Sequence, residues 1–297
     1  MGVKQTPWFE VQWLGGVAEH HFRRVRPLPT DIAWVTLDKS QYRPAALGCA
    51  QQVWTDLALS EYAAIASFAQ VVRALAEAQA PLDLIGMTSD FLADEVRHVE
   101  LACRVVMQLG GAAPRSFEPA RLVPSVDVRL SPLARANELV LRVGCIAESF
   151  ASATAVPIMR AATHPVIRGV YESILRDEAR HCRFGGLYFE WASEHWDEAE
   201  RVRLANVARE ALQGLIQRSR KASTPRSRAE EPSASTTTGG APPARPVRDD
   251  EALELGWFEP VRYEPLVQSA VLDDLVPQLL ALGLPLDVAA VAGFFST

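Results

Sequence analysis

The sequence predicts an all-α protein: a four-helix bundle with one long crossover, an irregular N-terminal extension, a fifth helix and a linker-tethered C-terminal tail. Three observations predict it. Four long stretches repeat apolar residues at helical spacing, and the segment 110–131 between the second and third has almost none of that periodicity. A five-residue word then occurs twice, Asp94-Glu95-Val96-Arg97-His98 and Asp177-Glu178-Ala179-Arg180-His181. Each copy follows a lone glutamate, Glu61 before the first and Glu148 before the second.

Residues 1–50 read as an irregular leader with Trp8, Trp13 and Trp34, and Ile32 to Leu37 as a short extended piece. Exposed tryptophans are costly, so the leader is expected to wrap the bundle and seal apolar surface. The bundle itself is expected over 51–218. Its first helix runs from about Ala50 to Gln79, stopped by Pro81, with Trp54, Glu61 and Phe68 on one face. The second runs from Leu82 to Leu109 and ends at Gly110-Gly111. The third spans Ser131 to Ala155, ahead of Pro157. Thr163 is expected to cap the fourth, with His164 a cap or surface residue and Pro165 in the first turn, continuing to about Glu194. A fifth amphipathic stretch covers Asp197 to Arg218. Residues 219–250 have no aromatic residue and little to bury, which reads as a disordered linker. The tail 251–297 turns apolar again, but Asp273, Asp274, Pro277, Pro285 and Asp287 exclude a membrane span. It is expected to dock on the bundle or to recruit a partner.

The doubled word has a geometric meaning. Residues three apart on a helix share a face, so Glu95 and His98 meet one metal region, as do Glu178 and His181. The upstream glutamates lie 34 and 30 residues earlier, which is one helix out, a turn and much of a helix back. Each therefore lands beside the Glu-x-x-His of the neighbouring antiparallel helix. Two such hairpins facing each other bring Glu61, Glu95, His98, Glu148, Glu178 and His181 together, with a glutamate free to bridge two ions. Glu61 and Glu148 sit among small and apolar residues, where an unpaired charge is costly. That context separates the pattern from a solvated, ion-paired helix face. The crossover at 110–131 is what lets both hairpins point their ligands inward.

Over residues 51–195 the pattern resembles the ferritin-like superfamily of dinuclear carboxylate proteins, which includes rubrerythrins, ferritins, ribonucleotide reductase small subunits and bacterial multicomponent monooxygenases. The resemblance implies a ferritin-like bundle in which those six residues ligate two iron ions. Manganese, or a mixed manganese–iron pair, suits the same ligands. It further implies that Asp94 and Asp177 accept from the histidine of the opposite half, a bond that fixes the imidazole tautomer. Arg97 and Arg180 then keep those aspartates ionised. One departure is notable: arylamine N-oxygenases carry a further histidine four positions ahead of a ligand glutamate, where this chain has Ile174.

Composition bounds the rest. Apolar residues make up 48% of the 297, enough for a core, and charged residues 22%. A net charge of −6 and no basic stripe with interleaved aromatics set nucleic acid aside. Cys49, Cys103, Cys145 and Cys182 form no Cys-x-x-Cys pair, so no rubredoxin-like or zinc-ribbon module is expected. Residues 1–30 show no apolar leader, so the expected compartment is a reducing cytoplasm with free thiols. The opening Met1-Gly2-Val3-Lys4-Gln5-Thr6 matches the loose myristoylation pattern, which carries little weight by itself.

Carboxylate and imidazole ligands without thiolates suit iron or manganese over structural zinc. Two divalent ions and four ionised glutamates also balance to neutrality. Three functions stay open on this reading. One is a diiron oxygenase or hydroxylase acting on a small organic molecule, served by an electron-donor protein. Another is rubrerythrin- or ferritin-type iron oxidation or peroxide scavenging. The third is a metal-stabilised interaction scaffold. A homodimer is compatible with any of them. Gly144 and Ser152, four residues either side of Glu148, leave room for a cavity beside the ions or for close helix packing. Phe91, Phe184 and Tyr188 read as core, and Tyr62 and Tyr171 as off the ligand faces.

Overall fold

The computed structural model describes residues 8–223 and 249–296, and among them every long element is a helix. The leader opens with α1 (Gly16–Val25), a ten-residue helix in a segment expected to be irregular. Ile32 to Leu37 is not extended. It holds a tight helical turn at Trp34–Thr36, because Ile32 and Leu37 on either side of it both bury in the core. Only part of the leader seals apolar surface. Trp34 and Phe9 pack on the core, while Trp8 and Trp13 stay exposed at 63% and 44%. Trp13 instead lies under the Arg23 guanidinium, 4.6 Å from the ring centroid, which satisfies its face without burial.

The bundle begins at α2 (Pro44–Glu77), six residues before the expected start, since Pro44 suits the first helical turn. Its end is a left-handed cap at Gln79 (φ 54°), closed by Ala80 N–H donating to Leu75 O at 3.0 Å. Pro81 follows, then α3 (Leu82–Gln108), which stops in the same way where Gly111 N–H reaches Val106 O. The crossover runs across α2: Arg115 pairs with Asp56, Ala113 N–H donates to Thr55 Oγ1, and Ser67 Oγ donates to Leu122 O.

The third bundle helix is capped by Ser131, whose Oγ accepts from Ala134 N–H. It is α4 (Pro132–Val140), a π-helical turn (Leu141–Ala147) and α5 (Glu148–Ala161) in one rod. It passes Pro157 and ends six residues beyond the expected Ala155, because Ile158 and Ala162 are buried. By length and mean hydropathy (1.5) this rod could cross a membrane, but half of its most apolar window is buried inside the bundle. The fourth helix, α6 (Pro165–Ala192), is capped by His164 and not by Thr163. The imidazole Nδ1 accepts from Val166 N–H at 3.2 Å. Helix α7 (Glu198–Ser223) runs past the expected linker start at 219, since Ile216 and Ser219 lie on its buried side. The remainder of that linker, 224–248, lies outside the described residues.

Helices α2 and α3 pack as one hairpin and the α4–α5 rod with α6 as the other, with α3 against α6 and α2 against α4. The tail docks. It is built of α8 (Asp249–Glu254), α9 (Pro260–Ser269), a π-helical turn (Ala270–Leu275), α10 (Val276–Ala281) and α11 (Val288–Gly293), and it buries Leu255 just after α8 together with Val271, Leu275, Leu279 and Val291. Trp54 Nε1–H donates to Leu255 O at 2.8 Å, which ties the tail to α2.

Candidate metal centre

Four helices each supply one wall of a buried polar pocket. Glu61 comes from α2, Glu95 and His98 from α3, Glu148 from the start of α5, and Glu178 and His181 from α6. All are buried except Glu61, whose side chain is 12% exposed and marks the side nearest solvent. The structure brings all six together as two overlapping groups. Glu61, Glu95, His98 and Glu178 offer ligand atoms within 4.8 Å of one another, and so do Glu95, Glu148, Glu178 and His181. Glu95 and Glu178 belong to both groups. Glu61 with His98, and Glu148 with His181, define the two ends.

The imidazoles face the pocket with Nδ1. His98 Nδ1 lies 3.3 Å from Glu178 and 3.5 Å from both Glu61 and Glu95. His181 Nδ1 lies 3.1 Å from Glu95, 3.3 Å from Glu148 and 3.4 Å from Glu178. Nε2 points away from the pocket and toward the other hairpin, to Asp177 Oδ2 (3.2 Å) from His98 and to Asp94 Oδ2 (3.4 Å) from His181. Arg97 pairs with Asp177, and Arg180 Nη2 reaches Asp94 Oδ2 at 2.9 Å. The aromatic ring of Phe91 lies 4.2 Å from the His181 ring and Phe68 lies 5.5 Å from it, so His181 is walled by apolar surface.

Protonation follows this geometry. Burial pushes Glu61 up to about 8, against the pull of His98, and pushes Glu148 well above its ordinary value. Burial works against the charge on Glu95 and Glu178 too, but the nearby His181 and His98 imidazoles hold both below the ordinary carboxylate value. Both imidazoles are raised despite burial: the neighbouring carboxylates of Asp177, Glu178, Glu61 and Glu95 raise His98, and those of Asp94, Glu148, Glu178 and Glu95 raise His181. Asp177 is buried as well, yet His98 and Arg97 hold it at about 2.

A metal pair fits this donor set. Glu95 Oε1 and Oε2, His98 Nδ1 and Glu178 Oε2 are buried with no well-formed hydrogen bond of their own, and each belongs to a residue of the pocket. Buried polar atoms left without partners cost about 1–3 kcal/mol each, a cost that cations in the pocket would remove.

Sequence reasoning missed several parts of the site. The π-helical turn ends at Ala147, directly before Glu148. Its extra residue rotates the following helix face by roughly 100° relative to an unbroken α-helix. Nothing in the apolar run around Gly144 signals it. Arg26, from the leader, donates from Nε to Asp94 Oδ1 at 2.8 Å and was not foreseen. Tyr171 is corrected: seven residues before Glu178, it lies on that ligand's face, buried against Trp54 at 5.0 Å. Gly144 marks a contact and not a cavity, since a Cβ there would meet the Phe184 ring at 3.2 Å. Ser152 Oγ accepts from Cys182 Sγ. Tyr188 is core, its hydroxyl donating to Asn137 Oδ1.

The described helices thus enclose a buried carboxylate–histidine cluster, a donor set able to hold metal ions. No family model matches the chain, and no curated protein matches it. Among solved structures, it is similar to "Protein 19 with aldehyde deformylating oxidase activity from Synechococcus", with a TM-score of 0.54 at 14% identity. The alignment covers 86% of this chain and 97% of that one, a likeness of fold.

Proposed function

We propose that this chain is a non-haem diiron oxidoreductase that activates O₂ toward a small organic substrate, with electrons from a separate donor protein. The single observation that carries this is the pair of four-residue groups sharing Glu95 and Glu178. On this reading Glu61 and His98 would hold one ion and Glu148 and His181 the other, with Glu95 and Glu178 available to both groups. A ferrous pair, when bound by these residues, would supply the electrons that reduce O₂. The chain's own residues do the rest. Asp177 and Asp94 accept the Nε2 protons and so present Nδ1 of each imidazole to the pocket. Phe68 and Phe91 keep water from His181, and the partly exposed Glu61 marks the side from which reactants approach.

The aldehyde deformylating oxidase activity of the Synechococcus protein supports oxidase chemistry and makes an aldehyde the first substrate to assay. Four free thiols support a reducing compartment. One observation favours the second reading, iron oxidation or peroxide scavenging: Phe184 fills the space at Gly144 where a substrate cavity would begin. Anaerobic iron loading followed by O₂ uptake separates the two. The oxygenase takes up about two irons per chain, as two ligand groups require, and consumes O₂ faster when an aldehyde and a reductant are present. Many irons per chain, with uptake indifferent to aldehyde, would support iron handling instead.

A further inference from the structure

Helix α1 is held to the bundle in an unusual way. None of its residues is buried, and Leu14 and Val17 at its start are 92% and 87% exposed. Its prominent ties are two arginines that reach α3. Arg23 forms a bidentate pair with the buried carboxylate of Glu100, at 2.5 and 2.6 Å. Arg26, the residue that closes α1, is only 12% exposed at its side chain. Its Nε donates to Asp94 Oδ1 at 2.8 Å, and Nη2 donates to Asp90 Oδ1 at 2.5 Å and Asp90 O at 3.1 Å.

Asp94 is the carboxylate that faces His181 Nε2. Its two oxygens are divided: Oδ1 takes Arg26, while Oδ2 takes His181 and Arg180. Arg97 Nη2 stands farther from Oδ1, at 3.7 Å. The matching aspartate, Asp177, has no leader arginine on it. There Oδ2 serves both His98 and Arg97, and Oδ1 meets only Arg180 at 3.4 Å. The doubled sequence word therefore does not produce two equivalent halves. A residue from outside the repeat immobilises one of its two aspartates. A fork with two separate acceptors fixes a carboxylate's rotation in a way a single point charge does not.

We infer that Arg26 is a positioning residue for the metal position bounded by Glu148 and His181, acting through Asp94, and that the leader is thereby part of that half of the site. Arg26 holds Asp94 so that Oδ2 stays on His181 Nε2, which keeps Nδ1 directed at Glu95, Glu148 and Glu178. The position bounded by Glu61 and His98 does not depend on it. The inference rests on the proposed ligand assignment.

The test is anaerobic equilibrium dialysis of the full chain against Fe²⁺, with circular dichroism to confirm helix content. Wild type is compared with Arg26→Gln, Arg26→Lys, Arg23→Gln, His181→Ala and the pair Arg26→Gln with His181→Ala. Loss of a group that orients a metal-bound histidine costs about 10- to 100-fold in metal affinity. Arg26→Gln should loosen one ion by about tenfold and leave the other at its wild-type affinity. Arg26→Lys, which keeps the charge but loses the fork, should recover only part of the loss. In the His181→Ala background, Arg26→Gln should add nothing. Arg23→Gln removes the other anchor of α1 without touching Asp94, and should bind both ions as wild type does. Unchanged binding in Arg26→Gln would overturn the inference alone. So would equal loosening of both ions, an equal loss in Arg23→Gln, or a full further loss in the His181→Ala background. A wild type that takes up no iron overturns the ligand assignment itself, and this inference with it.

Discussion

His98 and Asp177 come from opposite halves of the repeat, and Nε2 of the one lies 3.2 Å from Oδ2 of the other. The reciprocal pair, His181 and Asp94, lies at 3.4 Å. Each histidine is thus oriented by the hairpin it does not belong to, so the two hairpins are locked together through the site. Asp177→Asn should weaken one of the two ions by about tenfold or more while leaving the helix content intact. Iron dialysis beside circular dichroism decides it, and unchanged affinity would show that the aspartate has no part in orienting His98.

Removing both imidazoles is the direct test of the ligand set. The double variant His98→Ala, His181→Ala should purify without iron or manganese, while wild type carries about two ions per chain, one for each group. Elemental analysis of both proteins reads this out. Full retention in the double variant would contradict the assignment.

The site should also couple stability to pH. Glu61, at about 8, Glu148 and both histidines all have raised values in the folded chain. A raised value means the folded chain binds more protons than the unfolded chain does. Their contribution is therefore fully present below the unfolded values and is lost as pH rises through the folded ones. The metal-free chain should accordingly lose stability between about pH 5 and pH 8, with Glu61 setting the upper end of its own part. Metal replaces these protons, so its stabilising effect grows over the same range, and about four protons should leave as two ions enter at neutral pH. Calorimetry in buffers of different ionisation enthalpy counts them. A metal-induced rise in melting temperature that shrinks as pH increases would refute this.

Two adjacent glycines on α6 make a packing prediction. A Cβ at Gly185 would lie within 2.3 Å of Cys145 Sγ and 3.3 Å of both Cys145 N and Gly144 C, all on the π-helical turn before Glu148. Gly185→Ala should destabilise by about 1–3 kcal/mol through overpacking. Gly186 has open space where its Cβ would be. Gly186→Ala should stabilise by about 0.5–1 kcal/mol, as expected for a helix interior. Urea unfolding of the two variants should shift in opposite directions.

Trp54 is fully buried and holds the tail through the Leu255 carbonyl. Trp54→Phe keeps most of the apolar volume but orphans that carbonyl, and should cost about 1–3 kcal/mol. Limited proteolysis should then cut the segment around α8 sooner than in wild type.

The sequence by itself determined the helical-bundle class of the fold and the six side chains worth following. Both rest on local rules: a Glu-x-x-His pair shares a helix face whatever surrounds it, and the lengths between ligands are lengths of helix out and back. The crossover at 110–131 was legible for the same reason, as a lapse in periodicity. Other features depended on how elements meet in space, and only the tertiary structure decided them. Whether Gly144 opened a cavity or admitted Phe184 turned on the separation of two helices. The face on which Glu148 stands turned on one extra residue in a helical turn, which the apolar run around it does not encode. Arg26 was unreadable because it lies outside the repeat, 68 residues from Asp94, and no spacing rule links the two segments. Periodicity constrains a residue's neighbours along its own helix, and contact between distant segments is fixed only when those helices pack.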